Sequence, residues 1–255
     1  METHTYSIVI PAYNESQRIG ATLEKVLAHI AARGWTAEVI VVDDGSRDDT
    51  AEVVRRFVRQ NPMVRLVENP GNRGKGYSVR HGMMEARGDV QMFSDADLSS
   101  PIYEADKLFA AIAAGADVAI GSRWVDAALQ VRRQPAMRQI MGRIFNLLLR
   151  LILGLKFEDT QCGFKAFTRR AAQAIFPRQR VERWGFDPEL LFLASKAGLA
   201  IREVPVAWAH DDRSKIHPVR DGIRMFFEIV SVRWNDLTGK YDNGRELAPA
   251  SRPTT

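Results

Sequence analysis

The sequence predicts an α/β protein built on a doubly wound, mostly parallel sheet with helices on both faces. Short apolar segments alternate with helix-patterned segments through the first half of the chain, which is typical of parallel strands joined by crossover helices. Three of the apolar segments end in acidic or polar turns, and the carboxyl ends of parallel strands share one edge of a sheet. The length of 255 residues is enough to bury one sizeable core.

The elements of the first half are predicted from their apolar patterns and from the residues that end them. Strands are expected in β-branched or apolar runs, at residues 6–10, 39–42, 64–67, 89–94 and 117–120. Apolar residues at helical spacing, such as Ile19, Leu23, Val26 and Ile30, predict the helices between them, and Gly34 ends the first one. The helices cover residues 16–33, 49–59, 77–86 and 102–114.

The second half is less regular. It predicts amphipathic helices at residues 137–153 and 219–236, a further helix at 188–197, a strand at 164–167 and an edge strand at 200–208. Residues 1–241 are predicted to form a single domain of two halves, 1–125 and 126–241. Residues 242–255 are rich in Pro, Ser and Thr and are predicted to be a disordered tail.

Composition limits the partners. The net charge of +5 and the isoelectric point of about 9.5 favour a polyanion, either a nucleotide, a phospholipid surface or a nucleic acid. No basic, aromatic-studded motif supports the nucleic acid. The single cysteine, Cys162, excludes an internal disulfide, suits a reducing compartment and is interpreted as a small packed residue.

No membrane-crossing segment is expected. The first residues have neither the basic nor the apolar region of a signal peptide. The longest apolar candidate, residues 144–157, is interrupted by Asn146, Arg150 and Lys156, so it falls short of the ~18 apolar residues that a span requires.

Asp95-Ala96-Asp97 is the most informative motif, because it follows directly on an apolar strand. Two carboxylates at the carboxyl edge of a parallel sheet suit a hard divalent cation that also binds the oxygens of a diphosphate. The alternative is that Asp97 only starts a helix, since Pro101 follows shortly after it.

A glycine-rich loop at residues 71–76 precedes a predicted helix. Glycine permits close backbone approach to a ligand, and Lys75 supplies a positive charge. The loop lacks the Gly-Lys-Ser/Thr ending of a P-loop, and a plain flexible loop stays open as an alternative.

Three segments occur in an order that matches one known family. They are residues 8–15 (Ile-Val-Ile-Pro-Ala-Tyr-Asn-Glu), 41–46 (Val-Val-Asp-Asp-Gly-Ser) and 95–97. Together they resemble the family 2 glycosyltransferases of the GT-A fold, and residues 71–76 resemble the Asn-x-Gly-Lys-Gly loop of that family.

The resemblance implies that residues 1–125 bind a UDP-sugar donor. Asp44 accepts from the uracil N3–H, Glu15 binds the ribose, and Asp97 holds Mg²⁺ or Mn²⁺ on the diphosphate. Asp95, the second acid of the metal site, contacts the ribose or metal-bound water. The implied donor-binding set is Pro11, Ala12, Tyr13, Asn14, Glu15, Asp43, Asp44, Lys75, Asp95, Ala96 and Asp97. On the alternative interpretation, Asp44 belongs to a simple turn and Glu15 to a solvated helix start.

Four further segments, from residue 121 onward, recur in polyprenyl-phosphate sugar transferases. They are Gly-Ser-Arg at 121–123, Asp-Thr-Gln-Cys-Gly-Phe-Lys at 159–165, Val-Glu-Arg-Trp-Gly-Phe-Asp-Pro-Glu-Leu-Leu at 181–191 and Arg-Ser-Lys at 213–215. The resemblance spans residues 6–241 and is strongest to the dolichyl-phosphate β-glucosyltransferases. It implies metal-dependent, inverting transfer of glucose from UDP-glucose to a polyprenyl phosphate. Three alternatives stay open: transfer of mannose or another hexose to the same lipid, transfer to a soluble glycan, and a nucleotide-sugar-binding module without turnover.

The implied acceptor is already an anion near neutral pH, so the placement of cations matters more than proton removal. Arg123, Arg138, Arg213 and Ser214 are assigned to the acceptor phosphate, with Lys215 assisting and with Arg132, Arg133 and Arg143 as alternatives to Arg138. Asp159 and Asp187 are expected to bind sugar hydroxyls, to orient arginines or to act as structural caps. The predicted catalytic set is Asp97, Arg123, Arg213, Lys215, Asp159 and Asp187.

A lipid acceptor implies a membrane surface. The amphipathic helices at 137–153 and 219–236 carry apolar stripes flanked by basic residues, as in proteins that lie on a bilayer. We therefore expect a peripheral protein on the cytoplasmic side of a membrane, with core packing or a homodimer through the same surface as alternatives. Two departures from the family are the missing N-terminal membrane helix of the eukaryotic members and Ser99, where mannosyltransferases often have Gln.

Overall fold

A seven-stranded sheet lies at the centre of the computed structural model, which describes residues 6–126, 129–132, 136–209 and 218–242. Its strands are β1 (Tyr6–Ala12), β2 (Ala37–Asp43), β3 (Val64–Glu68), β4 (Val90–Ser94), β5 (Val118–Ser122), β7 (Phe164–Thr168) and β8 (Ile201–Pro205). Their spatial order is β3-β2-β1-β4-β7-β5-β8. Two short strands, β6 (Gln130–Arg132) and β9 (Trp208–Ala209), pair in parallel outside this sheet.

Helices cover both faces of the sheet. Residues of α1 (Ile19–Arg33), α2 (Thr50–Gln60) and α4 (Ala105–Ala113) share a core with Ile8 and Ile10 of β1. Val9, which points to the opposite face of the same strand, shares a second core with the remaining helices. These are α3 (Lys75–Glu85), α5 (Ala136–Leu153), α6 (Arg169–Ile175), α7 (Phe186–Lys196) and α8 (Pro218–Leu237), and 3₁₀ turns cover Ile102–Glu104 and Phe176–Arg178.

The predicted sheet and its helices are present within the described residues, and β8 forms an edge of the sheet as predicted. α6, β6 and β9 were not predicted, because the longest of them has only seven residues and none carries a clear period. The predicted tail lies outside the described residues from position 243 onward.

The direction of β7 brings the second half of the chain to the site. β7 is antiparallel to both of its neighbours, and Ser94 at the end of β4 pairs with Phe164 at the start of β7. The residues that precede β7 therefore lie at the same edge as the turns that follow β1, β2 and β4. β5 is antiparallel to β7 and therefore runs in the same direction as β4, so Ser122 at its carboxyl end, and Arg123 after it, lie at this edge as well.

Candidate active site

The turns after β1 and β2 are locked together. The backbone N–H of Asn14 donates to Ser46 Oγ at 2.9 Å, and that of Arg47 donates to Asn14 Oδ1 at 2.8 Å. Asn14 has a φ of 53°, a left-handed conformation that asparagine tolerates. Glu15 forms an ion pair with Arg18, one turn further along the chain. The two turns form one rigid wall at the sheet edge.

The neighbouring acids Asp43 and Asp44 have different surroundings, although each is only 4% exposed. Asp43 Oδ2 accepts from the Ser46 backbone N–H at 3.1 Å, and Oδ1 has no hydrogen-bond partner among the described residues. Both oxygens of Asp44 accept hydrogen bonds from the loop before α3. Since a buried acceptor without a partner is unfavourable, Asp43 Oδ1 is the oxygen of the pair that is suited to a ligand donor.

The Asp95-Ala96-Asp97 turn is fixed by its backbone. The Leu98 N–H donates to Asp95 O at 3.1 Å, and the carbonyl of the buried Ala96 accepts from Thr22 Oγ1 of α1 at 2.6 Å. Asp97 Oδ1 accepts from the Ser99 N–H at 2.9 Å. Both carboxylates are thereby held where β4 ends.

Gly163 is required beside this turn. A Cβ atom at Gly163 would lie 2.5 Å from Asp95 Oδ2, so a larger residue would displace that carboxylate. Lys75, the first residue of α3, forms an ion pair with Asp95 and lies 5.6 Å from the ring centroid of Trp184.

Charges around the turn shift the pKa values of these groups. Burial and the negative charge of Asp95 both raise the pKa of Asp97. Burial alone would lower the pKa of Lys75, but the charges of Asp95 and Asp187 outweigh it and raise that pKa. An added cation would offset the repulsion between the two carboxylates.

The donor set at this turn fits a hard divalent ion. Asp95 and Asp97 offer carboxylate oxygens, which Mg²⁺ and Mn²⁺ prefer. No cluster of three or more His, Cys, Asp or Glu side chains suited to a metal occurs within the described residues. Oxygens of a bound ligand would therefore have to complete the coordination.

Asp159 orients Arg123. Its carboxylate accepts from Arg123 Nε at 2.6 Å, from Nη2 at 2.8 Å and from the Arg123 backbone N–H at 3.0 Å. Asp159 is 1% exposed, and the guanidinium also lies 5.5 Å from the Trp208 ring and 5.8 Å from the Trp124 ring. Burial opposes the charge of both partners, yet their attraction prevails, raising the pKa of Arg123 and lowering that of Asp159.

A second buried pair joins Lys165 of β7 to Asp187 in the first turn of α7. Lys165 is fully buried, and its Nζ contacts Asp187 Oδ1 and the Cys162 carbonyl. Burial raises the pKa of Asp187, against the opposing charges of Lys165 and Lys75. Asp187 thus affects the site through its contact with Lys165 and through the effect of its charge on Lys75.

Sequence reasoning missed several residues of the site. A small pocket beside Asp95 is lined by Cys162, Gly163 and Trp208, among others. Burial raises the pKa of Cys162 to about 12, consistent with its expected role as a packed residue. Lys165 and Trp184 lie in the family-like segments 159–165 and 181–191. Their positions in these segments could have identified them as candidate site residues.

Four predicted acceptor residues lie wholly or partly outside the described part of the structure. Arg213, Ser214 and Lys215 lie outside the described residues. Arg138 belongs to α5, but its side chain is outside the described part. Arg123 is therefore the described member of the predicted phosphate clamp.

The outer face of α8 carries an apolar strip. The α8 strip, as we call it, is 42–70% exposed in its individual members and consists of Ile223, Phe227, Val230, Trp234 and Leu237. Their spacing of four and three residues keeps them on one face of the helix, while Ile229 and Val232 are buried on the other. Leu147, Leu148 and Leu151 are exposed on α5, which packs against α8.

Basic residues accompany the strip. The side chains of Arg224 and Arg233 are 57% and 48% exposed, and Arg233 pairs with Asp236 at 3.1 Å. Among the described residues, no helix is long and apolar enough to cross a membrane.

Comparisons with known proteins agree on one family. Residues 7–176 match glycosyl transferase family 2. A dolichyl-phosphate β-glucosyltransferase of Trichomonas vaginalis is 38% identical over 89% of this chain and 70% of its own length. The enzyme of that name from Drosophila melanogaster is 37% identical over 92% of this chain and 76% of its own length.

A solved structure shows the same fold. Glucosyl-3-phosphoglycerate synthase from Mycobacterium tuberculosis, crystallised with Mg²⁺ and UDP, superposes with a TM-score of 0.67 at 20% identity, covering 91% of this chain and 80% of that one. The predicted GT-A-type fold is confirmed.

Proposed function

The chain belongs to family 2 of the glycosyltransferases, and from this membership we propose that it transfers glucose from UDP-glucose to a polyprenyl phosphate of the dolichyl type. The observation that carries the proposal is the meeting of Asp95 and Asp97 with the cations Lys75 and Arg123 at one sheet edge. Relatives named for this reaction cover about nine-tenths of the chain, which supports the choice of sugar and acceptor.

The donor lies across the ends of β1, β2 and β4 in this proposal. Asp43 Oδ1 accepts from the uracil N3–H, and Glu15 accepts from a ribose hydroxyl. Pro11, Ala12, Tyr13 and Asn14 form the wall against which the nucleoside rests. Lys75 faces the diphosphate, where its positive charge offsets the negative charge of the leaving group.

Asp95 and Asp97 would hold Mg²⁺ or Mn²⁺ together with oxygens of the diphosphate. The bound ion would act as a Lewis acid that neutralises charge on the departing UDP. The mycobacterial enzyme of the same fold has been crystallised with either ion and UDP, which supports this assignment.

The acceptor phosphate attacks the anomeric carbon directly. One phosphate oxygen forms a bond to C1 while the bond from C1 to the β-phosphate oxygen breaks, and UDP leaves with the electron pair. Displacement from the opposite side turns an α-linked donor into a β-linked product. The nucleophile is already ionised, so the reaction needs no general base.

Arg123 faces the acceptor with its orientation fixed by Asp159. Because that carboxylate offsets the charge of Arg123, one arginine is a weak attractant for a phosphate. We assign the remaining attraction to Arg138, Arg213 and Lys215, with Ser214 as a hydrogen-bond donor. Asp187 pairs with Lys165, and its negative charge also favours the ammonium form of Lys75.

The α8 strip lies on the membrane in this proposal. A bilayer surface accepts exposed apolar side chains, and Arg224 and Arg233 can exchange their ion pairs with Glu228 and Asp236 for anionic headgroups. In this proposal the enzyme is peripheral, on the cytoplasmic face of a membrane, and takes its acceptor from the bilayer.

The test is a transfer assay on the purified full chain with Mg²⁺. Polyprenyl phosphate in detergent is incubated with labelled UDP-glucose, other UDP-hexoses or GDP-mannose, and the organic phase is extracted. We expect label in the organic phase from UDP-glucose, with a β linkage by NMR. Label only from GDP-mannose or another hexose would refute the choice of sugar.

A soluble acceptor is the second candidate. It is favoured by the mycobacterial enzyme, which was crystallised with phosphoglyceric acid and has the same fold. The same assay with 3-phosphoglycerate in place of the lipid distinguishes the two, since exclusively water-soluble product would exclude the lipid acceptor.

A further inference from the structure

Asp44 is saturated by the loop that precedes α3. Its Oδ1 accepts from Asn69 Nδ2 at 2.8 Å and from the Arg73 backbone N–H at 2.9 Å. Its Oδ2 accepts from Asn72 Nδ2 at 2.9 Å and from the Gly74 backbone N–H at 2.8 Å. A carboxylate has about four lone-pair sites. A nucleotide base would have to displace one of these donors to reach it.

Glycines clamp this loop between two other segments. A Cβ atom at Gly45, next to Asp44, would lie 2.6 Å from the Gly71 carbonyl carbon. A Cβ atom at Gly74, whose φ is +112°, would lie 2.5 Å from the Glu182 carbonyl oxygen. The loop therefore fits in one position, and a shift of Asp44 would be transmitted to the loop.

Lys75 follows directly on the clamped residue Gly74. Its side chain is 17% exposed and forms the ion pair with Asp95. The position of its ammonium group depends on where α3 begins, and the Gly74 N–H that is bound to Asp44 marks this point.

We infer that Asp44 is a positioning residue, which holds the 69–74 loop so that Lys75 faces Asp95 and the donor diphosphate. Asp44 makes no contact with the donor, unlike the base-binding role that the family resemblance implies for it. The kinetic part of this inference rests on the proposed function, whereas the anchoring of the loop does not.

Hydrogen exchange tests the anchoring without any substrate. The Asp44→Asn variant of the full chain replaces one acceptor oxygen by a donor, so the amides of Arg73 and Gly74 should exchange roughly 10-fold faster or more. Asp43→Asn is the matched control and should leave these two amides at the wild-type rate. Wild-type rates in Asp44→Asn would overturn the anchoring.

A double-mutant cycle tests the route through Lys75. Asp44→Asn alone should lower kcat/KM on the order of 100-fold, the effect of a catalytic group displaced by about 1 Å. In the Lys75→Met background, the same change should cost less than about 3-fold, because the group it positions is gone. Independent, multiplicative losses would overturn the route.

A donor analogue separates positioning from base contact. N3-methyl-UDP-glucose lacks the N–H that an aspartate would accept. Asp44→Asn should keep the wild-type preference for UDP-glucose over this analogue, whereas Asp43→Asn should lose most of it. Loss of the preference in Asp44→Asn would assign the base contact to Asp44 and refute the inference.

Asn72→Ala covers the case in which Asp44→Asn does not fold. It removes one of the four hydrogen bonds from an exposed side chain and leaves Asp44 intact. We expect a loss of about 3- to 10-fold that vanishes in the Lys75→Met background. An unchanged kcat/KM in Asn72→Ala, or an equal loss in the wild-type and Lys75→Met backgrounds, would refute the inference. A wild-type chain that uses no UDP-sugar would refute the proposed function, while the exchange rates would still judge the anchoring.

Discussion

The proposed donor and acceptor sides of the site stabilise buried charge in different ways. On the donor side, Asp43, Asp44 and Asp97 accept backbone N–H groups, which leave the negative charge of each carboxylate in place. On the acceptor side, Arg123 is paired with Asp159 and Lys165 with Asp187, so that the charges largely cancel. The donor side therefore offers net negative charge to a cation, whereas the acceptor side offers a rigid frame that needs further cations to bind an anion.

The largest effect is expected from removing an acid on the donor side. Asp97→Ala deletes one of the two carboxylates of the proposed metal site, so turnover should fall roughly 1,000-fold or more. Mg²⁺-dependent binding of UDP, measured by calorimetry, should be lost with it. Asp89→Ala is the control, because Asp89 lies at the other end of the same strand and is 68% exposed. Mg²⁺-dependent binding that survives in Asp97→Ala would contradict the metal assignment.

A change on the acceptor side should act on the other substrate. Arg123→Lys cannot reproduce the two parallel bonds to Asp159, so we expect the KM for polyprenyl phosphate to rise about 10- to 100-fold. The affinity for UDP should not change. Arg170→Lys is the matched control, since Arg170 forms a single exposed contact with Asp117 at 2.6 Å. A weaker affinity for UDP with an unchanged lipid KM would move Arg123 to the donor side.

The α8 strip should affect only delivery of the acceptor. The double variant Phe227→Ser and Trp234→Ser removes two exposed aromatic rings, so co-sedimentation with anionic phospholipid vesicles should fall about 10-fold or more. Turnover of a short-chain, water-soluble prenyl phosphate should be retained. Tyr103→Ser is the control, because it removes an exposed aromatic ring (54% exposed) that does not belong to α8. Unchanged sedimentation together with a halved molecular mass in solution would identify the strip as a homodimer contact.

The smallest effect concerns Glu38, a buried acid near the start of β2 and away from the site. Glu38 accepts hydrogen bonds from Ser7, Arg65 and the Arg87 backbone N–H. Burial would raise the pKa of Glu38, but the bonds from Ser7, Arg87 and Arg65 outweigh it and lower that pKa below its ordinary value of 4.5. The stabilisation is therefore present above pH 4.5 and is lost as the pH falls through the folded-state pKa.

Glu38→Gln should accordingly lower the free energy of unfolding by about 1–3 kcal/mol at pH 7. The difference from the wild type, measured by urea unfolding across pH, should shrink under acidic conditions. Glu24→Gln, at an exposed position of α1, should show no such dependence. A difference that grows towards acid pH would contradict the assigned direction.

The donor side could be predicted from sequence because topology alone places it. Once residues 6–10, 39–42 and 89–94 are parallel strands, the acids that follow them must meet at one edge. The different surroundings of Asp43 and Asp44 could not be predicted, because the donors to Asp44 come from a loop about 30 residues further along the chain.

The charge pairs of the acceptor side were harder to predict from sequence, for a physical reason. Arg123 and Asp159 are 36 residues apart, and they meet only because β7 runs against its neighbours. Lys165 stands in the run Phe-Lys-Ala-Phe, where a charged side chain would be expected at the surface, yet it is fully buried and contacts Asp187 of α7. The pairing of long charged side chains depends on packing that periodicity does not encode.

The antiparallel orientation of β7 also has a consequence for folding during translation. β5 pairs with β7 and β8, both of which follow it in the chain, so a fragment ending near residue 125 would leave β5 with neither partner. We expect a ribosome to have to translate beyond Thr168 before the sheet can close. Cutting the gene between the halves should yield an aggregating stub and not a portable nucleotide-binding module.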